Sequence, residues 1–190
     1  MKDFKGIYPA LLTPFDKNDK INEKSLEKMR MLMTQSEVMP ENRKCAVYAN
    51  AIASQIHSPV CAIELNDGHL VRGKTSSLLR CSSAALLNAL KYLAGIDPEA
   101  QLISPDLLNA IHSLKNKYLN LQNPLLDIDE VLLTLSIAAA NDENAKKCLE
   151  ALPLLKGCEI HCTIILAKKD TTTLRNLNMN LTCDPKQGNA

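Results

Sequence analysis

The order of apolar and polar positions divides the chain into alternating helical and extended segments. Apolar residues at helical spacing predict a set of helices, which cover about 23–33, 43–56, 82–93, 105–118, 129–140, 143–153 and 171–176. Alternating or short apolar runs predict strands over 6–15, 60–65, 69–72, 158–166 and 179–183. Because strands and helices interleave, the pattern predicts the α/β class, with α+β as the alternative, and a mixed sheet with packed helices.

Polar residues at the ends of these segments mark where the elements begin and turn. A serine is expected to cap the helix over 82–93, and Gly95 to stop it. The candidate caps of the later helices are Ser104, Asp127 or Asp129, Asn141 or Asp142, and Asp170. Asp67-Gly68 favours a tight hairpin turn after the strand over 60–65, and residues 73–77 are expected to form a loop.

Composition narrows the class of protein further. The 190 residues carry a net charge of +1, 3% aromatic residues and no Trp, which disfavours nucleic-acid binding. Apolar runs are too short for a membrane span, and Pro9 and Pro14 interrupt the start where a signal peptide needs a continuous apolar segment. The seven cysteines are odd in number and irregular in spacing, which predicts free buried thiols. We therefore expect a soluble cytoplasmic protein.

One segment matches a phosphate-binding pattern by its letters. Residues 68–75 fit G-x-x-x-x-G-K-T, but the residues between the two glycines alternate as in a strand, so the match is interpreted as accidental. A weaker anion-binding site remains a hypothesis. It consists of Lys74, Thr75, Ser76 and Ser77, which lead toward the start of a helix.

No other pattern predicts a catalytic or metal site. On a strand, Cys158 and Cys162 lie about 13 Å apart, too far to share one metal ion, and His161 points to the opposite face. Nothing assembles a nucleophile, a base and an orienting group, so we expect no catalytic residues, metal or cofactor.

Two resemblances cover different parts of the chain. Residues 3–29, which include the run PALLTPF and the run INEKSLEK, resemble the start of the N-acetylneuraminate lyase and dihydrodipicolinate synthase family. That resemblance implies the first strand of a barrel, but the loop, tyrosine and lysine motifs that the activity needs do not follow. We therefore interpret residues 1–30 as a truncated barrel start without an active site, joined to unrelated sequence near 29–33.

Residues 31–185 resemble the C-terminal domain of a bacterial family of unknown function, domain-of-unknown-function family 1846. The resemblance is carried by AIELNDGHLVRGKTS, SSAALLNALKYLAGID, DEVLLTLSIAAA and LPLLKGCEIHCTIIL. It implies a helical connector over 31–57, an α/β domain over 58–185 and a frayed tail over 186–190. The layout is also similar to cytidine-deaminase-like folds, but the helix that opens with Cys81-Ser82-Ser83 has no Glu, and no Cys-x-x-Cys exists to hold zinc.

Together these patterns predict a non-catalytic α/β domain, a fragment of a larger bacterial protein with a structural or ligand-pocket role. Its expected partners are a second copy or the missing N-terminal domains of that family, with no nucleic acid and no membrane. The alternative is a small-molecule enzyme or a nucleotide- or phosphate-binding domain that uses the loop over 74–77. A lyase-like aldolase is a remote alternative that rests on residues 3–29 alone.

Overall fold

The computed structural model describes residues 23–37, 39, 42–121 and 125–184. Within them the helices are α1 (Glu23–Gln35), α2 (Lys44–Ile56), α3 (Cys81–Leu93), α4 (Pro105–Lys117), α5 (Ile128–Ala138), α6 (Glu143–Glu150) and α7 (Lys168–Asn176). The strands are β1 (Val60–Glu64), β2 (Leu70–Lys74), β3 (Glu159–Cys162) and β4 (Asn180–Cys183). The strand predicted over 6–15 and the tail over 186–190 lie outside the described residues.

The four strands form one mixed sheet in the order β2-β1-β3-β4. Strand β1 pairs antiparallel with both β2 and β3, and β3 pairs parallel with β4. Helix α7 connects the two parallel strands, as a parallel pair requires. The α/β class and the mixed sheet are thereby confirmed.

The two faces of the sheet bury different sets of residues. On the first, which we call the core face, Ile63, Ile160 and Cys162 join the largest apolar cluster together with residues of α3, α5, α6 and α7. On the second, the α2 face, Val60 and Ala62 pack against α2. Because side chains alternate along a strand, each strand contributes to both faces.

A glycine permits the closest contact between the sheet and a helix. A Cβ atom added at Gly73 would lie 2.1 Å from the Ala85 backbone N and 2.5 Å from the Cys81 carbonyl O. Strand β2 therefore crosses the first turns of α3 backbone against backbone. The sequence prediction that the loop begins at Gly73 was wrong, because this contact keeps Gly73 and Lys74 in the strand.

Most of the predicted helix N-caps are confirmed. Ser104 caps α4, with Pro105 in its first turn, and Asp142 caps α6 through the N–H groups of Asn144 and Ala145. At α5 the structure decides between two candidates. Asp127 is the cap, and it forms a reciprocal capping box with Glu130.

Three boundaries differ from the prediction. Helix α3 begins at Cys81 after Arg80, without a side-chain cap, rather than after a serine cap. Strand β3 ends at Cys162 rather than near 166, because the Thr163 hydroxyl accepts a hydrogen bond from the Val60 N–H and the chain then turns away. Helix α7 begins at Lys168, and Asp170 lies inside its first turn instead of capping it.

Helix α1 presents at the surface most of its side chains that the structure describes. Those of its side chains that the structure describes are exposed, apart from a half-buried Met33. Among the described residues, no helix is both long and apolar enough to cross a membrane. The division at 1–30, 31–57 and 58–185 stays a prediction.

Substituting Gly73 by alanine tests the contact between β2 and α3. The added methyl group must displace backbone atoms of α3, so we expect Gly73→Ala to lower the free energy of unfolding by about 3 kcal/mol or more, as measured by urea denaturation. The matched control is Gly68→Asn in the open hairpin turn, where φ is +84° and no atom lies within 4 Å of an added Cβ. It should cost no more than about 1 kcal/mol. A Gly73→Ala variant as stable as the parent protein contradicts the contact.

Candidate functional site

The predicted anion-binding residues do not converge on one point. Lys74 ends β2 with an exposed side chain, and Ser77 is exposed in the following loop. The Ser76 hydroxyl accepts hydrogen bonds from the N–H groups of Leu78 and Leu79, at 3.3 and 3.0 Å. Two N–H groups available for an anion are thus already bonded within the loop.

Thr75 points inward rather than toward the other loop residues. Its N–H donates to the Pro59 carbonyl, and its side chain acts on the Cys81 thiol at the start of α3, whose pKa it lowers. Gly68 lies in the hairpin turn and Gly73 within β2, so residues 68–75 form a hairpin and not a loop between strand and helix. Anion binding by Lys74, Thr75, Ser76 and Ser77 stays a prediction.

A buried carboxylate lies where three helices begin. Asp170, in the first turn of α7, is fully buried. One carboxylate oxygen accepts a hydrogen bond from the N–H of Ile128, the first residue of α5, at 3.1 Å. The other accepts from the Ser82 hydroxyl in the first turn of α3, at 3.4 Å. Helix N-termini attract negative charge, and here the protein's own side chain supplies it.

Burial of the Asp170 carboxyl group carries a desolvation cost. Burial raises the pKa of Asp170, while the N–H of Ile128 and the positive charge of Arg80 oppose that rise. The Arg80 Nε is itself buried and has no hydrogen-bond partner within the described part of the chain. A phosphate group at these helix starts would have to displace Asp170, so their partial positive charge is already compensated.

The charged residues around the start of α5 are also paired with one another. Lys169 lies 3.2 Å from a carboxylate oxygen of Asp127 and 3.6 Å from one of Asp129. Lys115, which is buried, lies 2.7 Å from Glu130 and donates to the Leu125 carbonyl. These pairs join α4, α5 and α7 at one end of the domain.

On the α2 face a buried arginine ties the start of α2 to two strands. Arg43 donates to the backbone carbonyls of Ile160 in β3 and Asn180 in β4. Its guanidinium also lies 2.6 Å from the carboxylate of Glu159. Glu159 accepts a further hydrogen bond from the Asn180 side chain.

Beside this arginine the structure assembles a hydroxyl, an imidazole and a carboxylate, which the sequence analysis missed. His161 Nδ1 lies 2.8 Å from the Thr182 hydroxyl, and its Nε2 lies 3.3 Å from an oxygen of Asp184. The parallel register places His161 directly opposite Thr182. The alternation of β3 indicates the face of His161, but only the register between β3 and β4 identifies its partners.

The arrangement fits a structural role better than a catalytic one. A general base must take up a proton, and His161 is a weakened base, because burial lowers its pKa and the Arg43 charge lowers it further, against the opposing effect of Asp184. The imidazole is also only 5% exposed. We therefore assign the hydrogen bond of His161 to Thr182, and its contact with Asp184, to holding β4 on β3.

A row of cysteines crosses the core face. Cys61, Cys162 and Cys183 occupy paired positions on β1, β3 and β4. Cys81, the first residue of α3, lies above the row, with its sulfur 3.5 Å from that of Cys162. Hydrogen bonding between them and burial raise the pKa of the Cys81 thiol. We call these four residues the thiol cluster.

The other cysteines also agree with the expectation of free thiols. All seven are free, six are buried and Cys183 is half-buried. Burial raises the pKa of Cys45 and of Cys148 to about 11, so both are protonated at neutral pH. Within the residues that the structure describes, no group of three or more His, Cys, Asp or Glu side chains is placed to hold a metal ion. The likeness to cytidine-deaminase-like folds stays a prediction.

Residues 41–190 match the family model described as domain of unknown function DUF1846, C-terminal. The chain belongs to this family. The match agrees with the resemblance predicted for residues 31–185, and its description assigns no activity.

Similar proteins carry the name UPF0371. The chain is 45% identical over 159 residues to a UPF0371 protein of Corynebacterium aurimucosum, which covers 84% of this chain and 32% of that relative. It is 41% identical over 169 residues to one of Streptococcus thermophilus, covering 89% and 34%. For one of Corynebacterium urealyticum, the identity is 38% over 179 residues, covering 94% and 36%. The chain spans about a third of the length of these relatives.

The comparisons give no support to the lyase resemblance of residues 3–29. The match to the Corynebacterium urealyticum protein covers 94% of this chain. The part of the chain outside this match is shorter than residues 3–29, so the match must include some of that segment. Part of that segment is therefore similar to a UPF0371 protein.

The lowered pKa of His161 predicts a pH dependence of stability. The unfolded residue binds its proton near pH 6.5, but the folded one binds it only at lower pH, so stability present above pH 6.5 is lost as the pH falls through the folded pKa. We expect His161→Gln to reduce the slope of the unfolding free energy against pH by up to about 1.4 kcal/mol per pH unit, as measured by urea denaturation. His112→Gln, a change on α4 away from His161, is the control. It should keep the slope of unfolding free energy against pH that the parent protein shows. A parent slope in His161→Gln contradicts the assignment.

Proposed function

We propose that this chain is a non-catalytic α/β domain whose role is assembly with the rest of the longer family protein. One observation carries the proposal. The apolar stripe of α4 runs from Leu107 to Tyr118, but only Leu107, Leu108 and Ile111 pack on the core. Leu114 is 50% and Tyr118 76% exposed, so the stripe continues past the core without a partner in the described part of the chain.

Helix α5 also carries exposed apolar residues. Leu133 and Ile137, one turn apart, are 67% and 63% exposed. The ion pair between Lys115 of α4 and Glu130 of α5 brings the two helices together next to these residues. We call Leu114, Tyr118, Leu133 and Ile137 the α4–α5 surface. Exposed apolar residues on two helices that a satisfied ion pair joins are typical of a protein–protein contact.

The proposed occupant of the α4–α5 surface is the part of the family protein that this chain does not cover. That part makes up about two thirds of the Corynebacterium aurimucosum relative. A contact within the same polypeptide forms at high effective concentration, so a modest apolar area is enough to hold it. The paired charges at Asp170 and Arg43 and the protonated buried thiols support the non-catalytic part of the proposal.

A chimera tests this assembly. In it, the present chain replaces the matching third of the Corynebacterium aurimucosum protein. We expect one cooperative thermal transition for the parent chimera and two for Leu133→Glu/Ile137→Glu, because the charges undock the domain. Val47→Glu on α2, a matched change at a residue 49% exposed, should leave one transition.

The isolated chain separates undocking from misfolding. Both substituted residues are exposed, so the double variant of the chain alone should unfold within a few degrees of its parent. A single transition in the double-variant chimera contradicts the proposal. Concentration-dependent dimers of the isolated chain, abolished by the same substitutions, would instead identify a second copy as the occupant.

Phosphate or nucleotide binding is the second candidate function. One observation favours it, namely that the side chains of Lys74 and Ser77 are exposed and make no hydrogen bond or ion pair within the described ranges. Under this hypothesis, phosphate at ten times its Kd stabilises the chain by about 1.4 kcal/mol in a thermal-shift titration. Lys74→Ala should abolish the shift and Lys146→Ala on α6 should retain it. No shift with phosphate or nucleotides contradicts this candidate.

A further inference from the structure

We propose that Cys81 and Cys162 form an intramolecular disulfide when the domain meets hydrogen peroxide. Their sulfur atoms lie 3.5 Å apart, one on the first residue of α3 and the other on the last residue of β3. Closing the pair to a bond of about 2.05 Å requires a movement of roughly 1.5 Å, which side-chain rotation and a small shift of the helix start supply. This inference does not depend on the assembly role.

The geometry selects this pair within the thiol cluster. Cys61, Cys162 and Cys183 project from the same face of neighbouring strands, so their Cα–Cβ bonds run side by side. Cys81 comes from the layer above, and its side chain meets that of Cys162 from the opposite direction. Disulfides need side chains that approach each other, and the 3.5 Å distance between the sulfur atoms of Cys81 and Cys162 provides that approach.

We assign the first step to Cys81 because groups beside it favour its thiolate. It lies at the start of α3, where the helix dipole favours a thiolate, and the Thr75 hydroxyl and the Ser82 N–H both lower its pKa. Hydrogen bonding to Cys162 and burial outweigh these effects and raise the pKa of Cys81 overall. Oxidation is therefore slow in the closed domain, and we expect local opening of the loop over 76–80, just before Cys81, to limit its rate.

The reaction balances with peroxide as the oxidant. The Cys81 thiolate attacks one peroxide oxygen, an S–O bond forms, the O–O bond breaks, and the departing oxygen leaves as water after taking up a proton. The Cys162 thiol then loses its proton and attacks the Cys81 sulfur, so that the S–S bond forms, the S–O bond breaks and a second water leaves. Two thiols lose two electrons in total, and one hydrogen peroxide becomes two waters.

The disulfide would fix the start of α3 to the sheet. The two cysteines are separated by 81 positions in the chain, so the bond restrains a long segment of the unfolded state. We expect the oxidised domain to unfold at a higher temperature than the reduced one. The carboxyl ends of β2 and β3, beside which α3 begins, would no longer move independently.

Peptide mapping of the oxidised chain tests the proposal. The fully reduced chain is treated with hydrogen peroxide, free thiols are alkylated, and non-reducing digests are analysed by mass spectrometry. We expect a linkage between Cys81 and Cys162, the loss of two of the seven free thiols, and full reversal by dithiothreitol. Urea below the unfolding transition should accelerate the reaction, since opening limits it.

Two variants serve as controls. Cys81→Ala should retain all six of its thiols under the same treatment, while Cys148→Ala, which removes a buried thiol of α6 outside the cluster, should still form the linkage. Because the linkage is identified directly in the parent chain, the test holds even where the Cys81→Ala variant misfolds. A linkage between Cys61 and Cys162, disulfides only between chains, sulfinic acid without a disulfide, or no loss of thiols would each overturn the proposal.

Discussion

The burial of one carboxylate, that of Asp170, constrains how the core face of this domain is built. An ionised carboxyl group in an apolar interior is costly unless hydrogen bonds compensate it. Here the compensation comes from the start of α5 and from a hydroxyl at the start of α3, while Asp170 itself belongs to α7. The three helices must therefore begin at the same place.

The buried polar groups on the α2 face are likewise compensated by hydrogen bonds. Arg43 and His161 hold β4 and the start of α2 through hydrogen bonds to backbone and side-chain groups of β3 and β4. Buried ion pairs add little net stability, but removing one partner leaves the other uncompensated, so they specify a single arrangement. These buried polar side chains form hydrogen bonds or ion pairs within the domain. This leaves the α4–α5 surface as the part of the described domain that is most clearly unpartnered.

Sequence signals that act over a few residues predicted the structure well. Asp67-Gly68 marked the hairpin, and the caps Ser104 and Asp142 marked two helix starts, because each depends only on neighbouring backbone groups. The role of Asp170 was misassigned for the opposite reason. Its hydrogen-bond partners are 42 and 88 positions away, and no local pattern contains them.

In the candidate sites too, the sequence predicts local features but not the contacts between distant residues. That His161 and Cys162 face opposite sides of β3 follows from alternation, which the sequence displays. The partners of His161 and the row formed by Cys61, Cys162 and Cys183 depend on the pairing of three strands, which the sequence does not display. Gly73 was predicted to begin a loop, whereas in the structure it lies in β2 and packs closely against α3.

Hydrogen–deuterium exchange on the Corynebacterium aurimucosum relative tests the central claim most directly. Exchange in the full-length protein is compared with exchange in its separately produced matching third. The account predicts that the full-length protein shows additional protection in the peptides that align with α4 and α5, and little change in those that align with α2 and β4. Protection confined to the α2 face, or equal exchange throughout, would contradict it.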